Sequence, residues 1–356
     1  MNKRTPVAKA SELAIDLAKN VFDIVAADHQ GHELWHRSVR SRRAFETFLA
    51  SLKAPLCVGM EAGPGAQAWG RWLQGSGIRV KILPARAVKA HAHRMKNDLN
   101  DARAILRAMH DRDIHPVPVK TREQLALQMQ HRVRAGWVNR RTAACNQLRG
   151  LLLEQGLVAG CGRAALQAMV DRVLRGEWSL PEGVVEMVEA CVSEWQGLTA
   201  RIDAATARLV RVARTDETAQ RLCTIPGIGP ITATAVVSKG LDPAQFKNSR
   251  QCGAYLGIVP EQHGTGGRVV LGKMSRRGDA YLRGLFIEGA QSVVKQARRH
   301  NEATDVLTCR LRRWIERHGV NGAAVRLANH NVRVVWALLE RGGTYQVGAS
   351  EASLAS

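Results

Sequence analysis

The sequence predicts an α/β N-terminal domain followed by a mostly α-helical remainder. Residues 11–84 alternate short apolar strands with amphipathic helices, residues 124–158 form one long helical pattern, and residues 184–213 repeat apolar side chains at a period of 3.5. A chain of 356 residues is long enough for two or three domains with buried cores. We expect domains at 11–123, 124–218 and 219–320, and a helical end with a disordered tail over 321–356.

The N-terminal pattern predicts a mixed sheet. Residues 12–27 are predicted as an apolar strand with a polar interruption at Lys19-Asn20, and residues 33–39 as its hairpin partner. Two further strands, 55–60 and 79–83, alternate with helices at 41–52 and 66–74. This β-β-α-β-α-β order combines an antiparallel hairpin with later parallel strands.

A basic connector over residues 85–123 leads to a helix that starts near Asp98, and the long helix follows. No acid occurs between Glu123 and Glu154, so the usual partners of basic residues at helical spacing are missing. A solvated helix surface would explain such a charge run, but we favour contact with a nucleic-acid backbone. The residues predicted to make it are Arg132, Arg134, Arg140 and Arg141.

The heptad pattern over residues 184–213 predicts a coiled coil or helical hairpin. Because tryptophan is unusual at an a position of a tight dimer, packing against the preceding long helix is an equal alternative. The a positions are Val188, Trp195, Ile202 and Leu209, and the d positions are Cys191, Leu198, Ala205 and Val212.

A glycine-rich unit occupies residues 221–295. The turn Pro226-Gly-Ile-Gly229 is typical of a helix-hairpin-helix motif, and the backbone N–H groups of Gly227 and Gly229 would suit a phosphate. An ordinary tight helix connection is the alternative. Further along, Lys273, Arg276 and Arg277 are predicted to bind nucleic acid.

Composition indicates a polyanionic partner. Lys and Arg number 52 against 31 Asp and Glu, which gives a formal net charge of +21. The seven cysteines lack zinc-site spacing, and no long apolar segment is present. We therefore expect a cytoplasmic protein without a membrane partner.

Four acids have local settings that suit metal ligands. Asp16 lies within the apolar run Leu13-Ala-Ile-Asp-Leu-Ala, and Glu61 ends another apolar run. The spacing of Asp98 and Asp101 puts both on one helix face. Such carboxylates suit Mg²⁺ or Mn²⁺, and two ions about 4 Å apart can clamp a phosphoryl transfer.

Each acid also has a purely structural interpretation. Asp98 could be an N-cap, Asp101 a first-turn acid and Glu61 a turn residue. Asp16 has no comparable structural role, because it interrupts a strand between Ile15 and Leu17. We expect two further acids of the hairpin, Asp23 and Asp28, to be solvent-exposed.

Six segments in order resemble the IS110/IS1111-type insertion-sequence transposases. The resemblance runs over roughly residues 12–295. The six segments are Ile15-Asp-Leu-Ala-Lys, Gly59-Met-Glu-Ala, Lys96-Asn-Asp-Leu-Asn-Asp-Ala, Ile225-Pro-Gly-Ile-Gly-Pro, Tyr255-Leu-Gly-Ile-Val-Pro and Met274-Ser-Arg-Arg-Gly-Asp-Ala-Tyr-Leu-Arg.

The resemblance implies a RuvC-like domain of RNase H fold, a coiled-coil middle used in oligomerisation, and a C-terminal transposase domain with a nucleophilic serine. The DEDD acids would be Asp16, Glu61, Asp98 and Asp101, with Mg²⁺ bound. It implies recombination of element ends and target DNA, guided by a structured non-coding bridge RNA. The expected state is a dimer or tetramer associated with the bacterial nucleoid.

The chain departs from the family pattern at the nucleophile. Where relatives have a Ser-Gly step, this chain has Pro260-Glu-Gln-His-Gly-Thr-Gly-Gly, so Thr265 stands at the aligned position. Either Thr265 is a more hindered nucleophile, or Ser275 replaces it, or the protein is catalytically impaired.

Two other functions fit the same residues. A structure-specific nuclease resembling a junction resolvase would use the four acids with water as the nucleophile. A non-catalytic nucleic-acid-binding protein would use the helix-hairpin-helix unit and need no metal.

Overall fold

The computed structural model describes residues 10–92, 97–265, 268–299 and 305–346. By contacts, the chain divides into two compact units, Met1–Glu123 with Lys239–Gln245, and Gln124–Ser238 with Phe246–Ser356. The four domains predicted from the sequence stay predictions, and the predicted disordered tail lies largely outside the described residues. No described helix is both long and apolar enough to cross a membrane.

The first unit is built on a five-stranded mixed sheet of order β3-β2-β1-β4-β5. Pairings β1–β2 and β2–β3 are antiparallel, whereas β1–β4 and β4–β5 are parallel. Its main elements are β1 (Glu12–Leu17), β2 (Phe22–Ala27), β3 (Glu33–Val39), α1 (Arg42–Ala50), β4 (Cys57–Glu61), α2 (Ala66–Gly75), β5 (Arg79–Leu83), α3 (Ala85–Ala90) and α4 (Asp98–His110).

The mixed α/β prediction is confirmed, with one correction to its strands. Residues 12–27 form two strands, because the chain turns back between Ala18 and Val21, where the Ala18 N–H donates to the Val21 carbonyl at 3.1 Å. The predicted polar interruption at Lys19-Asn20 is this turn. The sheet therefore starts with three antiparallel strands rather than two.

Helices cover both faces of the sheet. On one face Leu13 and Ile15 of β1 pack in the core that includes α1 and α2, where the rings of Phe22 and Phe45 stack 3.9 Å apart. On the other face Ala14 packs against α4 through residues such as Ile105. Because side chains alternate along a strand, Asp16 belongs to the α4 face.

The second unit is mainly helical, as predicted. Its elements are α5 (Arg122–Glu154), α6 (Arg163–Leu174), α7 (Glu182–Thr215), α8 (Glu217–Cys223), α9 (Pro230–Lys239), α10 (Ser249–Tyr255), the hairpin β6 (Pro260–Thr265) and β7 (Arg268–Met274), α11 (Ala280–Arg299) and α12 (Val306–Arg341), in which Gly319 breaks the helical backbone.

Side chains at the heptad positions of α7 pack against other helices of the same chain. Val188 and Trp195 are buried in one core with Leu148 of α5 and Val170 of α6. This is the predicted alternative in which α7 packs against the preceding long helix. The coiled coil as an interface between chains stays a prediction.

A buried polar network joins α5, α9 and α11. His131, only 2% exposed, is hydrogen-bonded through Nδ1 to the Tyr281 hydroxyl at 3.0 Å and through Nε2 to Thr234 Oγ1 at 3.1 Å. Since buried polar groups are costly without partners, this network fixes how the three helices pack.

We expect Tyr281→Phe to lower the free energy of unfolding by about 1–3 kcal/mol, because it leaves one His131 ring nitrogen without this buried partner. Urea denaturation of the full chain measures the change. Tyr255→Phe is the matched control, since the Tyr255 side chain is 38% exposed and should tolerate loss of its hydroxyl. Equal effects of the two substitutions would contradict the structural role of the network.

Candidate active site

The carboxyl ends of β1 and β4 bring two of the predicted acids side by side. The two strands run parallel and pair through Ile15 and Met60, so Asp16 and Glu61 are the next residues on each. Both side chains point to the face covered by α4, because they alternate with residues of the opposite core. Parallel strands thus place two carboxylates at one sheet edge.

The other two predicted acids lie in the first turn of α4. Asn97 caps this helix, accepting a hydrogen bond from the Leu99 N–H at 3.1 Å, so the N-cap interpretation of Asp98 is wrong. Asp98 and Asp101 instead follow the cap within the first turn.

Two contacts hold α4 against the sheet. Gly59 of β4 faces it, and a Cβ there would lie 2.2 Å from Met109 Sδ, so glycine permits the close approach. Arg103 forms a two-pronged ion pair with Glu33 of β3, with N–O distances of 2.7 and 3.0 Å. This pair also lowers the pKa of Glu33. The acid-bearing turn is therefore positioned by packing and by charge.

The pKa of Asp16 shows that the acids share one electrostatic environment. It is raised from 3.8 to about 6, first by burial and then by the negative charges of Asp101, Glu61, Asp98 and Asp23, in that order. The pKa of Glu61 is also raised, by burial and then by Asp101. The carboxylates therefore repel one another, and a cation would relieve that repulsion.

The oxygen donors fit a divalent cation chemically, but their side chains do not form a closed coordination shell. Among the described residues, no group of three His, Cys, Asp or Glu side chains is arranged to hold an ion. The backbone brings the acids to one place, and ion binding would have to draw the side chains together. Burial and the like charges of the acids favour binding of a cation, which would offset the repulsion as the side chains draw together.

A fifth acid was misjudged from the sequence. Asp23 was expected to be solvent-exposed, yet it is only 7% exposed and lies directly opposite Asp16 in the β1–β2 register. Its carboxylate accepts a hydrogen bond from the Ser38 hydroxyl. Placing the turn at Ala18–Val21 would have predicted this position, because opposed residues of antiparallel strands share a face.

Two turns of the second unit interlock through glycines: residues 255–259 and residues 275–279. A Cβ on Gly257, whose φ is +69°, would lie 1.8 Å from the Arg277 carbonyl oxygen, and one on Gly278 would lie 1.9 Å from the Tyr255 oxygen. The Ser275 N–H donates to the Val259 carbonyl at 2.9 Å. This bracing sets the positions of Ser275, Arg276 and Arg277.

The candidate nucleophiles lie at opposite ends of the β6–β7 hairpin. Thr265 is the last residue of β6, and its side chain lies outside what the structure describes. Ser275 directly follows β7 and is half-buried. The predicted nucleic-acid residues Lys273, Arg276 and Arg277 are exposed here.

The four predicted arginines of α5 have different environments. Arg132 and Arg140 are exposed. Arg134 is partly buried and donates through Nε to Thr206 Oγ1 of α7 at 2.8 Å, so it also ties two helices together. Burial lowers the pKa of Arg141, and the neighbouring charges of Arg163 and Arg134 lower it further.

The predicted helix-hairpin-helix glycines also differ. Gly227 is packed against α11, since its added Cβ would lie 3.0 Å from the Gly289 carbonyl oxygen, and the Asn331 side chain donates to the Pro226 carbonyl at 2.8 Å. Gly229 is exposed with open space around its Cα. Packing alone therefore explains Gly227, and only Gly229 is open to a ligand.

Sequence comparison agrees with this arrangement. Residues 13–155 match the model of a DEDD transposase domain, and residues 219–304 match that of the transposase IS116/IS110/IS902 family. By class, the protein is a transposase with an acid-bearing α/β domain. The chain belongs to the IS110 family of insertion-sequence transposases, which confirms the resemblance seen in its motifs.

Relatives match over nearly the whole chain. A probable family 20 transposase of Pseudomonas aeruginosa is 40% identical over 95% of this chain and 99% of its own length. The transposase for insertion sequence element IS1111A of Coxiella burnetii is 36% identical over 95% and 92%. The transposase for insertion sequence element IS1328 of Yersinia enterocolitica is 34% identical over 94% and 98%.

Proposed function

We propose that this transposase cleaves and exchanges DNA strands at element ends and target, with Asp16, Glu61, Asp98 and Asp101 holding Mg²⁺ or Mn²⁺. One observation carries the proposal. The pKa of the half-buried Asp16 is raised by burial and then by the charges of the other three acids, which supports a shared site of four hard-oxygen donors. Divalent-metal dependence is also what membership of a DEDD transposase family implies.

The four acids have distinct tasks in this mechanism. Asp16 and Glu61 are fixed by strand pairing and supply a rigid pair of ligands. Asp98 and Asp101 would complete the ligand set from the first turn of α4. Bound metal would stabilise charge on the attacking and leaving oxygens of the phosphodiester. Asp23, opposite Asp16 on the neighbouring strand, would add negative charge beside the metal.

We assign the nucleophile to the hydroxyl of Thr265, with Ser275 as the alternative. The hydroxyl gives up its proton to water and its oxygen forms a bond to phosphorus. The bond between phosphorus and one strand oxygen breaks, and that oxygen takes up a proton and leaves as a free hydroxyl end of the DNA. Because one phosphodiester replaces another, the covalent link conserves the energy needed to join a new strand. The order of the motifs supports Thr265, since it stands where the resemblance to the family implies the nucleophilic serine. Ser275 is supported by its half-buried place beside basic residues.

Trapping of the protein–DNA adduct tests this assignment. We expect Thr265→Ala to abolish a covalent adduct with element-end DNA, Thr265→Ser to retain or increase it, and Ser275→Ala to leave it intact. Denaturing gels detect the adduct, and mass spectrometry of the linked peptide locates it. An adduct on Ser275 would reverse the assignment.

Cleavage without any adduct would favour the second candidate, a junction-resolving nuclease with water as the nucleophile. This candidate is favoured because a threonine, Thr265, stands where the resemblance to the family implies a serine. In that case the Asp16 requirement stays and the Thr265 requirement disappears. The two substitutions therefore separate the two functions.

Guide RNA and oligomerisation complete the proposal. A structured non-coding RNA would direct the choice of DNA, and the basic surface with Arg132, Arg140 and Gly229 would contact nucleic-acid phosphates. A dimer or tetramer would form through the long helices, where Met129, Val133 and Leu153 of α5 are exposed. Sedimentation equilibrium, with and without the RNA transcribed from the element, measures both associations.

A further inference from the structure

The second unit contains an open pocket of about 750 Å³ in which three arginines meet. Arg250 comes from α10, Arg277 from the turn before α11, and Arg333 from α12. Two of them were not predicted from the sequence as nucleic-acid residues, and α12 lies outside both family matches. The pocket is therefore formed by elements far apart in the sequence.

Each arginine is placed by its backbone. A Cβ on Gly253 would lie 2.8 Å from Asn329 Oδ1, so this glycine lets α10 lie close to α12. Asn329 and Arg333 are four residues apart on α12 and share one helix face. Arg277 is positioned by the glycine interlock, and its carbonyl also accepts from Arg283 Nη1 at 3.2 Å. The site is pre-arranged by the fold.

The pocket has an excess of positive charge. Its charged lining residues are the three arginines and Glu261, with His263 beside them. Within the described part of the chain, none of these arginines is ion-paired with a carboxylate, while Arg333 donates weakly to Ser249 Oγ at 3.5 Å. Converging guanidinium groups recognise phosphate oxygens in a fixed geometry.

We propose that this pocket binds a phosphate of the DNA backbone and thereby positions the strand for reaction. DNA is favoured over RNA because Ser275 lines the pocket together with the β6 residues that lead to Thr265, and both hydroxyls are candidates for attack on DNA. The inference rests on the proposed function, which it deepens by naming a phosphate site. It adds Arg250, Arg333 and Asn329 to the residues that contact substrate.

Salt-dependent binding of the full chain to a short DNA duplex in EDTA tests the pocket. Loss of one phosphate contact makes the plot of log association constant against log salt concentration less steep by about 0.9. This change corresponds to roughly an eightfold loss of affinity at about 0.1 M salt. We expect this from Arg250→Ala and from Arg333→Ala. Arg333→Lys should keep the slope and lose part of the affinity, because the charge remains and the planar fork is lost.

Arg175→Ala is the matched control, because it removes the same charge from an arginine that directly follows α6 and is paired with Glu177 at 2.9 Å. It should leave the slope unchanged. Unaltered slopes in both Arg250→Ala and Arg333→Ala would overturn the pocket. If Arg333→Ala fails to fold, the salt dependence of Arg250→Ala alone tests the pocket, because Arg250 is exposed. An effect on a single-stranded RNA oligonucleotide but not on the duplex would overturn the assignment to DNA.

Asp16→Asn separates failure of the pocket from failure of the proposed function. This variant should keep the arginine dependence of binding while losing cleavage. If wild-type protein shows arginine-dependent binding but no metal-dependent cleavage, the proposed function fails and the pocket stands. If it cleaves DNA and the arginine substitutions have no effect on binding, only the pocket fails.

Discussion

Asp16→Asn should abolish DNA cleavage and, without divalent metal, stabilise the protein. The substitution removes a strand-held metal ligand, and loss of about 4 kcal/mol of transition-state stabilisation lowers the rate roughly a thousandfold. It also removes a half-buried carboxylate whose pKa is raised by burial and by four neighbouring acids.

The sign of the pH dependence follows from the pKa. Asp16 has a pKa of about 6 in the folded protein against 3.8 as its ordinary value. The folded state therefore holds more protons between these values, so the stability of the metal-free protein falls as pH rises from about 4 to about 6. Since Asp16 is not fully buried, we expect about 1–2 kcal/mol from this residue. The Asp16→Asn variant should not show this part of the loss of stability with rising pH.

Thermal unfolding in EDTA across this pH range measures the stability effect, and cleavage of element-end DNA with Mg²⁺ measures the activity. Glu46→Gln on α1 is the control, because Glu46 is exposed and pairs with Arg42 at 3.5 Å outside the site. It should leave cleavage unchanged within about twofold, since exposed ion pairs contribute little. Full activity in Asp16→Asn would remove Asp16 from the metal site.

Alanine substitution at two glycines of α11 should change the free energy of unfolding in opposite directions. A Cβ on Gly289 would lie 1.9 Å from the Gly227 carbonyl oxygen, and backbone cannot move aside as a flexible side chain can. We expect Gly289→Ala to cost about 3 kcal/mol or more, because it separates α11 from the Pro226-Gly227 turn. Loss of the proposed nucleic-acid functions of this unit would follow.

Gly284→Ala is the internal control on the same helix. Nothing lies within 4 Å of its added Cβ, so the substitution removes only the helix penalty of glycine. We expect a gain of about 0.5–1 kcal/mol. Urea unfolding of both variants decides the matter, and a destabilised Gly284→Ala or a neutral Gly289→Ala would contradict the packing described for α11.

The acidic residues show what a local sequence pattern can predict about a site and what it cannot. Asp16 and Glu61 were predicted because an acid in or at the end of an apolar strand is anomalous, and the structure places both at adjacent strand ends. Asp23 was misjudged because one apolar run concealed a turn, and its burial depends on pairing with β1 and β3. Burial of a polar residue is set by its neighbours in space, which a single strand pattern does not contain.

Sequence alone determined the class of protein, the mixed α/β start, the helical remainder and the identity of the acidic residues, because periodicity, charge and ordered motifs are local properties. Tertiary structure decided that Asp16 and Glu61 lie side by side, that α7 packs on α5, that Gly227 serves packing, and that Arg250, Arg277 and Arg333 share a pocket. Each of these depends on contacts between residues distant in the chain, and such contacts are fixed only when whole elements pack.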